Sequence, residues 1–473
     1  MSPHQPIFSR PLMAGGSSFF GDAPTQLQKS NAMPPTSLHN RRVLVWGLGR
    51  FGGGVGVTRW LAGLGAQVTV MDQAPASALA DSLAALAGLL VDFHLGQERV
   101  DHLDHAELVV VNPAVIKWKS DFFREIIRRK LPWTTEINLF CARCPASVVG
   151  VTGSYGNSTT SAMVHQVLDL ACRSKSTKFR QVHLGGNIGR SLLTDLDAIA
   201  PNDIVVLELS NAQLEDLPQI SWSPACAIIT NIHPHHLDRY QHPEEYFEAK
   251  ANIARDPAGR APVIAGPLDP RAEKILRRVL GDHPHRLIPI ATPLLPIELV
   301  VPGAHNRDNA ACVLTVTRTL GIGEEVARQA LKSFRGLPHR LEFVQSQRGV
   351  EYINDSKSTA PSATIKAIES FDRPVVLIVG GQKKDVPLHE LASVAARRCR
   401  AVVCMGEAGA DFSAVLGAKA SVRGMADAVH AARVLAQSGD IVLLSPGAPS
   451  FDAYHNYEER GKDFARCVNE WSP

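Results

Sequence analysis

The 473-residue sequence has little charge bias and few aromatic residues. It carries 49 Lys and Arg against 46 Asp and Glu, and aromatic residues make up 6% of the chain. A nucleic-acid-binding protein needs a strongly basic face, so this balance gives no support to a DNA or RNA partner. The sequence also lacks any run of the ~18 apolar residues that a membrane-spanning helix requires. We therefore expect a soluble protein with no membrane span and no nucleic-acid partner.

Cysteine is present but forms no dense framework. The eight cysteines are scattered through apolar stretches, and only Cys141 and Cys144 have a spacing known from metal or redox sites. No second pair follows at the distance of a zinc site, so the end of a helix is favoured over a metal site there. Scattered cysteines in a long chain are typical of a reducing compartment, and we expect a cytoplasmic protein.

The length of the chain exceeds what one hydrophobic core usually organises. Residues 1–40 are rich in Ser, Pro, Gly and Gln, which predicts a disordered tail. After it, buried strands with glycine-marked ends alternate with helical segments, which predicts three α/β domains with parallel sheets. We place them at 41–140, 141–335 and 336–473: a Rossmann-like N-terminal domain, a central ATPase domain built around a phosphate loop, and a Rossmann-like C-terminal domain.

A glycine-rich turn follows the first predicted strand. Gly47, Gly49 and Gly52 lie between that strand and a helix, and Asp72 ends the next strand. Such a turn brings backbone N–H groups and a helix N-terminus close to an anionic ligand, while the acidic residue accepts hydrogen bonds from a ribose or a base. A nicotinamide oxidoreductase and a tight turn without ligand are both open interpretations of this motif alone.

A second glycine loop, "GVTGSYGNSTT", has the strand and helix context of a phosphate-binding loop. We expect Gly153 and Gly156 to let backbone N–H groups surround the phosphates of ATP, with Ser158 on Mg²⁺ and Thr159 in the first helical turn. Loops of this kind carry lysine before the serine, whereas this chain has Asn157. The γ-phosphate therefore lacks the full positive charge that a lysine side chain would place beside it.

Carboxylate and imidazole groups follow the next predicted strands. Glu208 ends one strand, and the segment "NIHPHHLDRYQHPEEYFEAK" brings His236 and Lys250 close in sequence. Such groups at strand ends beside a phosphate loop are suitable ligands for a hard cation. A zinc site and a solvated histidine-rich loop are the alternatives.

The order and spacing of these motifs, from about Val43 to Phe464, resemble the Mur ligase family. Within it, the resemblance is to members that add D-glutamate to UDP-N-acetylmuramoyl-L-alanine. It implies that the first domain holds the UDP of the substrate, which demotes the nicotinamide interpretation. It also implies an ADP-forming amide ligase of peptidoglycan synthesis that uses ATP and Mg²⁺, and we expect a monomer.

The resemblance assigns roles to individual residues. Glu208 and His236 would hold Mg²⁺, and Lys250 would be carbamylated to position a second metal ion. The nucleotide-binding residues would be Gly153, Gly156, Asn157, Ser158, Thr159, Asn306, Asn309, Arg340 and Asp355. The residues for the UDP substrate would be Gly47, Gly49, Gly52, Asp72, Asn187 and Ser210. The residues for D-glutamate would be Thr359, Lys384, Ser450 and Tyr457.

Asn157 is the main departure from the family pattern, in which a lysine neutralises the transferring phosphoryl group. We therefore expect a slow ligase unless a cation from another segment reaches the γ-phosphate. The alternative function is a catalytically weak relative that binds the UDP precursor as a sensor or scaffold. The complete set of D-glutamate residues favours the ligase.

Overall fold

The computed structural model describes residues 37–49, 52–188, 191–234, 239–290, 298–301, 303–384 and 386–470. The predicted tail falls almost wholly outside these ranges, as does His236. No helix in the described part of the chain is long and apolar enough to cross a membrane.

The first sheet is parallel, in the order β3-β2-β1-β4-β5. Its strands are β1 (Arg42–Trp46), β2 (Gln67–Asp72), β3 (Val91–Leu95), β4 (Leu108–Val111) and β5 (Trp133–Thr134). The helices of this region are α1 (Gly53–Gly63), α2 (Ala80–Ala85), α3 (Asp121–Arg128) and α4 (Glu136–Cys141). The strand order reverses between β1 and β4, and ligands bind beyond the carboxyl ends of the strands at such a switch point.

The second sheet is also parallel, in the order β11-β10-β9-β6-β8-β7. Its strands are β6 (Ser147–Thr152), β7 (Val182–Gly186), β8 (Ile204–Glu208), β9 (Cys226–Ile229), β10 (Val263–Ala265) and β11 (Leu287–Pro289). The helices are α5 (Asn157–Arg173), α6 (Asn211–Leu214), α7 (Pro243–Ala251), α8 (Pro270–Leu280), α9 (Ala304–Thr319) and α10 (Glu324–Lys332). Val148 packs into one apolar cluster and Val149 into another, as expected for a strand covered on both faces.

The third sheet has the order β12-β13-β17-β14-β15-β16, with β12 antiparallel to β13 and the other pairs parallel. Its strands are β12 (Glu342–Gln347), β13 (Val350–Asn354), β14 (Val375–Gly380), β15 (Cys399–Met405), β16 (Ala420–Val422) and β17 (Ile441–Leu444). The helices are α11 (Pro361–Glu369), α12 (His389–Arg398), α13 (Gly409–Leu416), α14 (Met425–Leu435) and α15 (Tyr457–Asn469).

The predicted α/β class with three sheets in sequence is confirmed. The three sheets use strands from 42–134, 147–289 and 342–444. The domain boundaries at 140/141 and 335/336 stay predictions.

Candidate active site

The phosphate loop joins β6 to α5, as the sequence predicts. Gly156 has φ +77°, and a Cβ on Gly153 would lie 1.9 Å from Thr230 Oγ1, so both positions favour glycine. The sequence predicts that the backbone N–H groups around Gly153 and Gly156 face phosphates. The structure instead pairs the N–H groups of Ser154 and Tyr155 with Asn231. The first turn of α5 still has N–H groups without partners inside the helix, which suit an anion.

Asn157 contacts a carboxylate at the end of the neighbouring strand. Its side-chain amide donates a hydrogen bond of 2.7 Å to Glu208 Oε1, and the Asn187 amide donates one of 3.1 Å to the same oxygen. Glu208 is 1% exposed. Its other oxygen, Oε2, is buried without a hydrogen-bond partner in the described part of the chain. A buried carboxylate oxygen without a partner is costly, and a bound cation would satisfy it.

Lys250 is buried in α7 near this carboxylate. Its ammonium group donates a hydrogen bond of 3.1 Å to Thr152 Oγ1, and the side chain is almost wholly shielded from solvent. Burial lowers the pKa of Lys250 to about 7, although the negative charge of Glu208 acts in the opposite direction. A substantial fraction of Lys250 is therefore an uncharged amine near neutral pH, which is the nucleophilic form.

The described residues fit a divalent cation. His236 lies outside the described residues. Among the residues described, no group of three or more His, Cys, Asp or Glu side chains is placed to hold a metal ion. Glu208 and Ser158 nevertheless line the same cavity. The buried Oε2 of Glu208 and the hydroxyl oxygen of Ser158 are ligands of the kind that Mg²⁺ prefers.

A cavity of about 920 Å³ lies over the phosphate loop, between the second and third sheets. Most of the predicted nucleotide and metal residues line it: Gly153, Gly156, Asn157, Ser158, Thr159, Glu208, Lys250, Asn306, Asn309, Arg340 and Asp355. In α9, the buried Asn309 amide donates a hydrogen bond of 3.2 Å to Asn306 Oδ1. A Cβ on Gly156 would lie 2.3 Å from Asn309 Oδ1, so this pair packs directly against the phosphate loop.

The opposite wall of this cavity comes from the C-terminal region. Asp355 is buried at the end of β13, where it accepts hydrogen bonds from the Ser445 hydroxyl at 2.8 Å and from the Leu341 N–H at 3.2 Å. Burial raises the pKa of Asp355 to about 6, against the lowering effect of these bonds and of the Arg340 charge. Asp355 and Arg340 therefore form part of one wall of the predicted nucleotide site.

Sequence reasoning missed two cations on this wall, Lys357 and Lys366. Lys357 stands two residues after Asp355 in the segment "NDSKST", so the sequence itself indicates its place at a strand end. The Lys366 ammonium lies 3.4 Å from the centroid of the Tyr155 ring, on the phosphate loop. No sequence signal pointed to that contact, because it joins two separate α/β regions.

A second cavity, of about 580 Å³, lies at the switch point of the first sheet. Of the residues predicted for the UDP substrate, it brings together Gly47, Gly49, Asn187 and Ser210. Asp72 and Gly52 do not belong to its lining. The Asp72 carboxylate instead accepts a hydrogen bond of 3.0 Å from the Gly49 N–H, and Gly52 is the N-cap residue of α1, with φ +87°. These two residues shape the glycine turn.

The two cavities share wall residues. Asn187, Ser210 and Asn211 line both of them, and Glu208, which contacts Asn187, stands two residues before Ser210 in the chain. Ser210 caps α6 through a reciprocal pair of hydrogen bonds with Gln213. Asn112, Glu136 and Arg239 also line the second cavity, and sequence reasoning did not single them out.

The predicted D-glutamate residues occupy a common edge of the third sheet. Thr359, Lys384 and Ser450 follow β13, β14 and β17, which are neighbouring parallel strands. Their carboxyl ends therefore meet at one edge. Lys384 and Thr359 are exposed, whereas Ser450 is buried. Tyr457 begins α15, and its ring lies 5.4 Å from the Lys357 ammonium. None of these four predicted residues lines the cavity over the phosphate loop.

Comparison with protein families agrees with this arrangement. The model of the Mur ligase middle domain matches residues 151–288, and that of the Mur ligase glutamate ligase domain matches residues 339–447. The first match contains the phosphate loop, Glu208 and Lys250. The second contains Asp355, Lys357 and Lys384.

Among curated proteins, the UDP-N-acetylmuramoylalanine–D-glutamate ligase of Roseiflexus sp. (strain RS-1) is 36% identical, over 92% of this chain and 100% of that protein. The protein of the same name from Symbiobacterium thermophilum is 33% identical, over 89% of this chain and 97% of that one. Among solved structures, the UDP-N-acetylmuramate-alanine ligase of Thermotoga maritima superposes with a TM-score of 0.54 at 20% identity, covering 90% of this chain and 99% of that one. The chain belongs to the Mur ligase family.

Proposed function

We propose that this protein is an ATP-dependent, ADP-forming amide ligase that joins D-glutamate to UDP-N-acetylmuramoyl-L-alanine in peptidoglycan precursor synthesis. The relatives that match nearly the whole chain carry this activity in their names. No contact among the described residues favours the alternative of a scaffold protein that only binds the UDP precursor.

The observation that carries the proposal is the common wall of the two cavities. A ligase of this kind must bring the carboxylate of a UDP-linked substrate to the γ-phosphate of ATP. The cavity at the first glycine turn and the cavity over the phosphate loop meet at Asn187 and Ser210. This junction is also where Glu208 presents a buried carboxylate.

The reaction balances in two steps. The carboxylate oxygen of UDP-N-acetylmuramoyl-L-alanine attacks the γ-phosphorus, and the bond to the β-phosphate oxygen breaks, giving an acyl phosphate and ADP. The uncharged amine of D-glutamate then attacks the acyl carbon, and phosphate leaves as the amide forms and a proton is released. Holding the reacting groups together is the main contribution expected of the protein, since little covalent chemistry is left to it.

ATP would lie over the phosphate loop, with the first turn of α5 toward its phosphates and Asn306, Asn309, Arg340 and Asp355 around the remainder of the nucleotide. Mg²⁺ held by Ser158, Glu208 and His236 would neutralise charge on the phosphates when bound. The unpartnered Oε2 of Glu208 supports this assignment.

Lys250 would act as a carbamate. Its uncharged amine would attack CO₂, forming an N–C bond and releasing one proton, and the ammonium that repels a cation would become an anionic oxygen ligand. The burial of Lys250 and its pKa of about 7 support this, because carbamylation needs the uncharged amine.

D-Glutamate carries two carboxylates, so its site needs a cation and hydroxyl donors. Lys384 would supply the cation, with Thr359, Ser450 and Tyr457 as hydroxyl donors. Their position along one sheet edge supports a common site, because Thr359, Lys384 and Ser450 follow three neighbouring strands.

The proposal is tested by measuring ADP release from the purified full chain with ATP and Mg²⁺. We expect release that requires both UDP-N-acetylmuramoyl-L-alanine and D-glutamate, and little release when either is omitted or L-glutamate replaces the acceptor. Binding of the UDP precursor without any acceptor-dependent ADP release would contradict the ligase and support the scaffold alternative. Affinity for NAD without affinity for the UDP precursor would contradict both.

A further inference from the structure

The residue at the lysine position of the phosphate loop points toward a carboxylate. Asn157 is the first residue of α5, and its amide nitrogen lies 2.7 Å from Glu208 Oε1. The family pattern would use this position for the γ-phosphate. In this chain the side chain has a protein partner already, and that partner is the proposed metal ligand.

The two oxygens of Glu208 have different surroundings. Oε1 accepts from both Asn157 and Asn187, whereas Oε2 has no partner within the described residues, although the side chain is 1% exposed. Asn187 is itself fixed, because its backbone N–H donates a hydrogen bond of 2.8 Å to the Glu208 carbonyl. Two donors on one oxygen fix both the plane and the rotation of the carboxylate, so Oε2 is held in one direction.

We propose that Asn157 is a positioning residue for the Glu208 carboxylate: with Asn187 it holds Oε1, so that Oε2 is presented to a divalent cation. The inference rests on the proposed metal role of Glu208. Partners of this kind orient ligands directly bound to a metal and tune its affinity.

The choice of asparagine over lysine has an electrostatic consequence. An amide donates a hydrogen bond without bringing charge, so the carboxylate keeps its full negative charge for the cation. A lysine in the same place would set an ammonium beside Oε1, where it would compete with the metal for the carboxylate. The cost is a weaker hold on the phosphates, which then depends on the helix N-terminus and on the metal.

The experiment measures Mn²⁺ binding to the nucleotide-free full chain by electron paramagnetic resonance, with the melting temperature of each variant. We expect Asn157→Leu, which keeps the size but removes the donor, to weaken Mn²⁺ binding about 10- to 30-fold. Asn187→Leu should act in the same direction. The control is Gln166→Leu on the same helix, whose amide donates to the Ala330 carbonyl at 2.7 Å instead of to Glu208. It should change Mn²⁺ affinity less than about twofold, since only ligands and their partners carry this effect.

Asn157→Lys separates the positioning role from a general loss of structure. We expect it to weaken Mn²⁺ binding at least as much as Asn157→Leu, while metal-free ATP binds more tightly. A general loss of structure would weaken both kinds of binding and would not produce these opposite shifts.

Glu208→Gln separates this inference from the proposal on which it rests. If it leaves Mn²⁺ binding unchanged, Glu208 is not a ligand and the proposed metal site is wrong. If Glu208→Gln weakens binding but the Asn157 variants match the parent, the metal site stands and the positioning role is overturned.

Discussion

The two walls of the nucleotide cavity differ in charge. The wall from the second sheet carries Glu208, the neutral Asn157 in place of a lysine, and Lys250 with a pKa lowered to about 7. The wall from the third sheet carries three cationic side chains, Arg340, Lys357 and Lys366, against two acidic ones, Asp355 and Glu369.

This difference in charge suggests that the two walls have different roles. On the first wall, Glu208 is buried at the end of β8 and Lys250 is buried in α7, which suits a metal ion. The second wall is more exposed and supplies positive charge across the cavity. A cation for the transferring phosphoryl group would therefore come from the wall of the third sheet. It would replace the positive charge that is missing at Asn157.

The largest expected effect concerns the first wall. Lys250→Ala should lower turnover by about 10³-fold or more, because the anionic ligand near the metal is lost. Short carboxylic acids should partly restore activity. The control Lys274→Ala alters an exposed lysine of α8 and should leave turnover unchanged. Full activity of Lys250→Ala would show that the buried lysine has no part in the reaction.

Removing Lys384 tests whether the third sheet also binds the acceptor. Lys384→Ala should raise the KM for D-glutamate about 30- to 150-fold, corresponding to about 2–3 kcal/mol for a lost charge-assisted bond, with little change in the KM for ATP. The adjacent Lys383, paired with Asp411 at 2.9 Å, provides the matched control Lys383→Ala. Equal effects of the two substitutions would refute a specific role for Lys384.

Lys357 tests whether the wall of the third sheet supplies the cation for the phosphoryl group. Lys357→Met should lower kcat about 10- to 100-fold at saturating Mg²⁺, because a donor to the developing phosphoryl charge is lost. Adding Asn157→Lys to that variant should restore part of the rate by returning a cation to the opposite wall. The control is Lys332→Met, at an exposed residue paired with Glu298.

Asn157→Lys alone should raise kcat with little change in the KM for D-glutamate, when Mg²⁺ is saturating. If Lys357→Met matches the parent, or if the double variant gains nothing, the cation from the wall of the third sheet is not used.

The smallest expected effect is a pH dependence of carbamylation. With a pKa of about 7 in place of 10.5, the uncharged fraction of Lys250 is near one half at pH 7. The protein is first inactivated by removing CO₂, and CO₂ is then returned at one fixed concentration. The rate at which activity returns should fall about fivefold from pH 7 to 6 and rise less than about twofold from pH 7 to 8. A lysine with an ordinary pKa would instead gain about tenfold per pH unit across this range. That profile would show that burial does not lower the pKa of Lys250.

Much of the fold and of the first wall could be predicted from the sequence. Buried apolar strands followed by glycine loops indicate parallel sheets, and parallel sheets bring Asn157 and Glu208 to one edge. The sequence could not show that the Asn157 amide reaches Glu208, because that depends on side-chain geometry between β6 and β8. Nor could it show that Lys366 lies over Tyr155, since this contact depends on how two α/β regions pack together.

The most direct measurement follows oxygen from substrate to product. UDP-N-acetylmuramoyl-L-alanine labelled with ¹⁸O in its carboxylate is incubated with ATP, Mg²⁺ and D-glutamate, and the released phosphate is analysed by mass spectrometry. Attack of the carboxylate on the γ-phosphorus predicts one ¹⁸O atom in each phosphate released, with amide product formed in equal amount. Phosphate released without the label would contradict an acyl-phosphate ligase, and so would the absence of amide product.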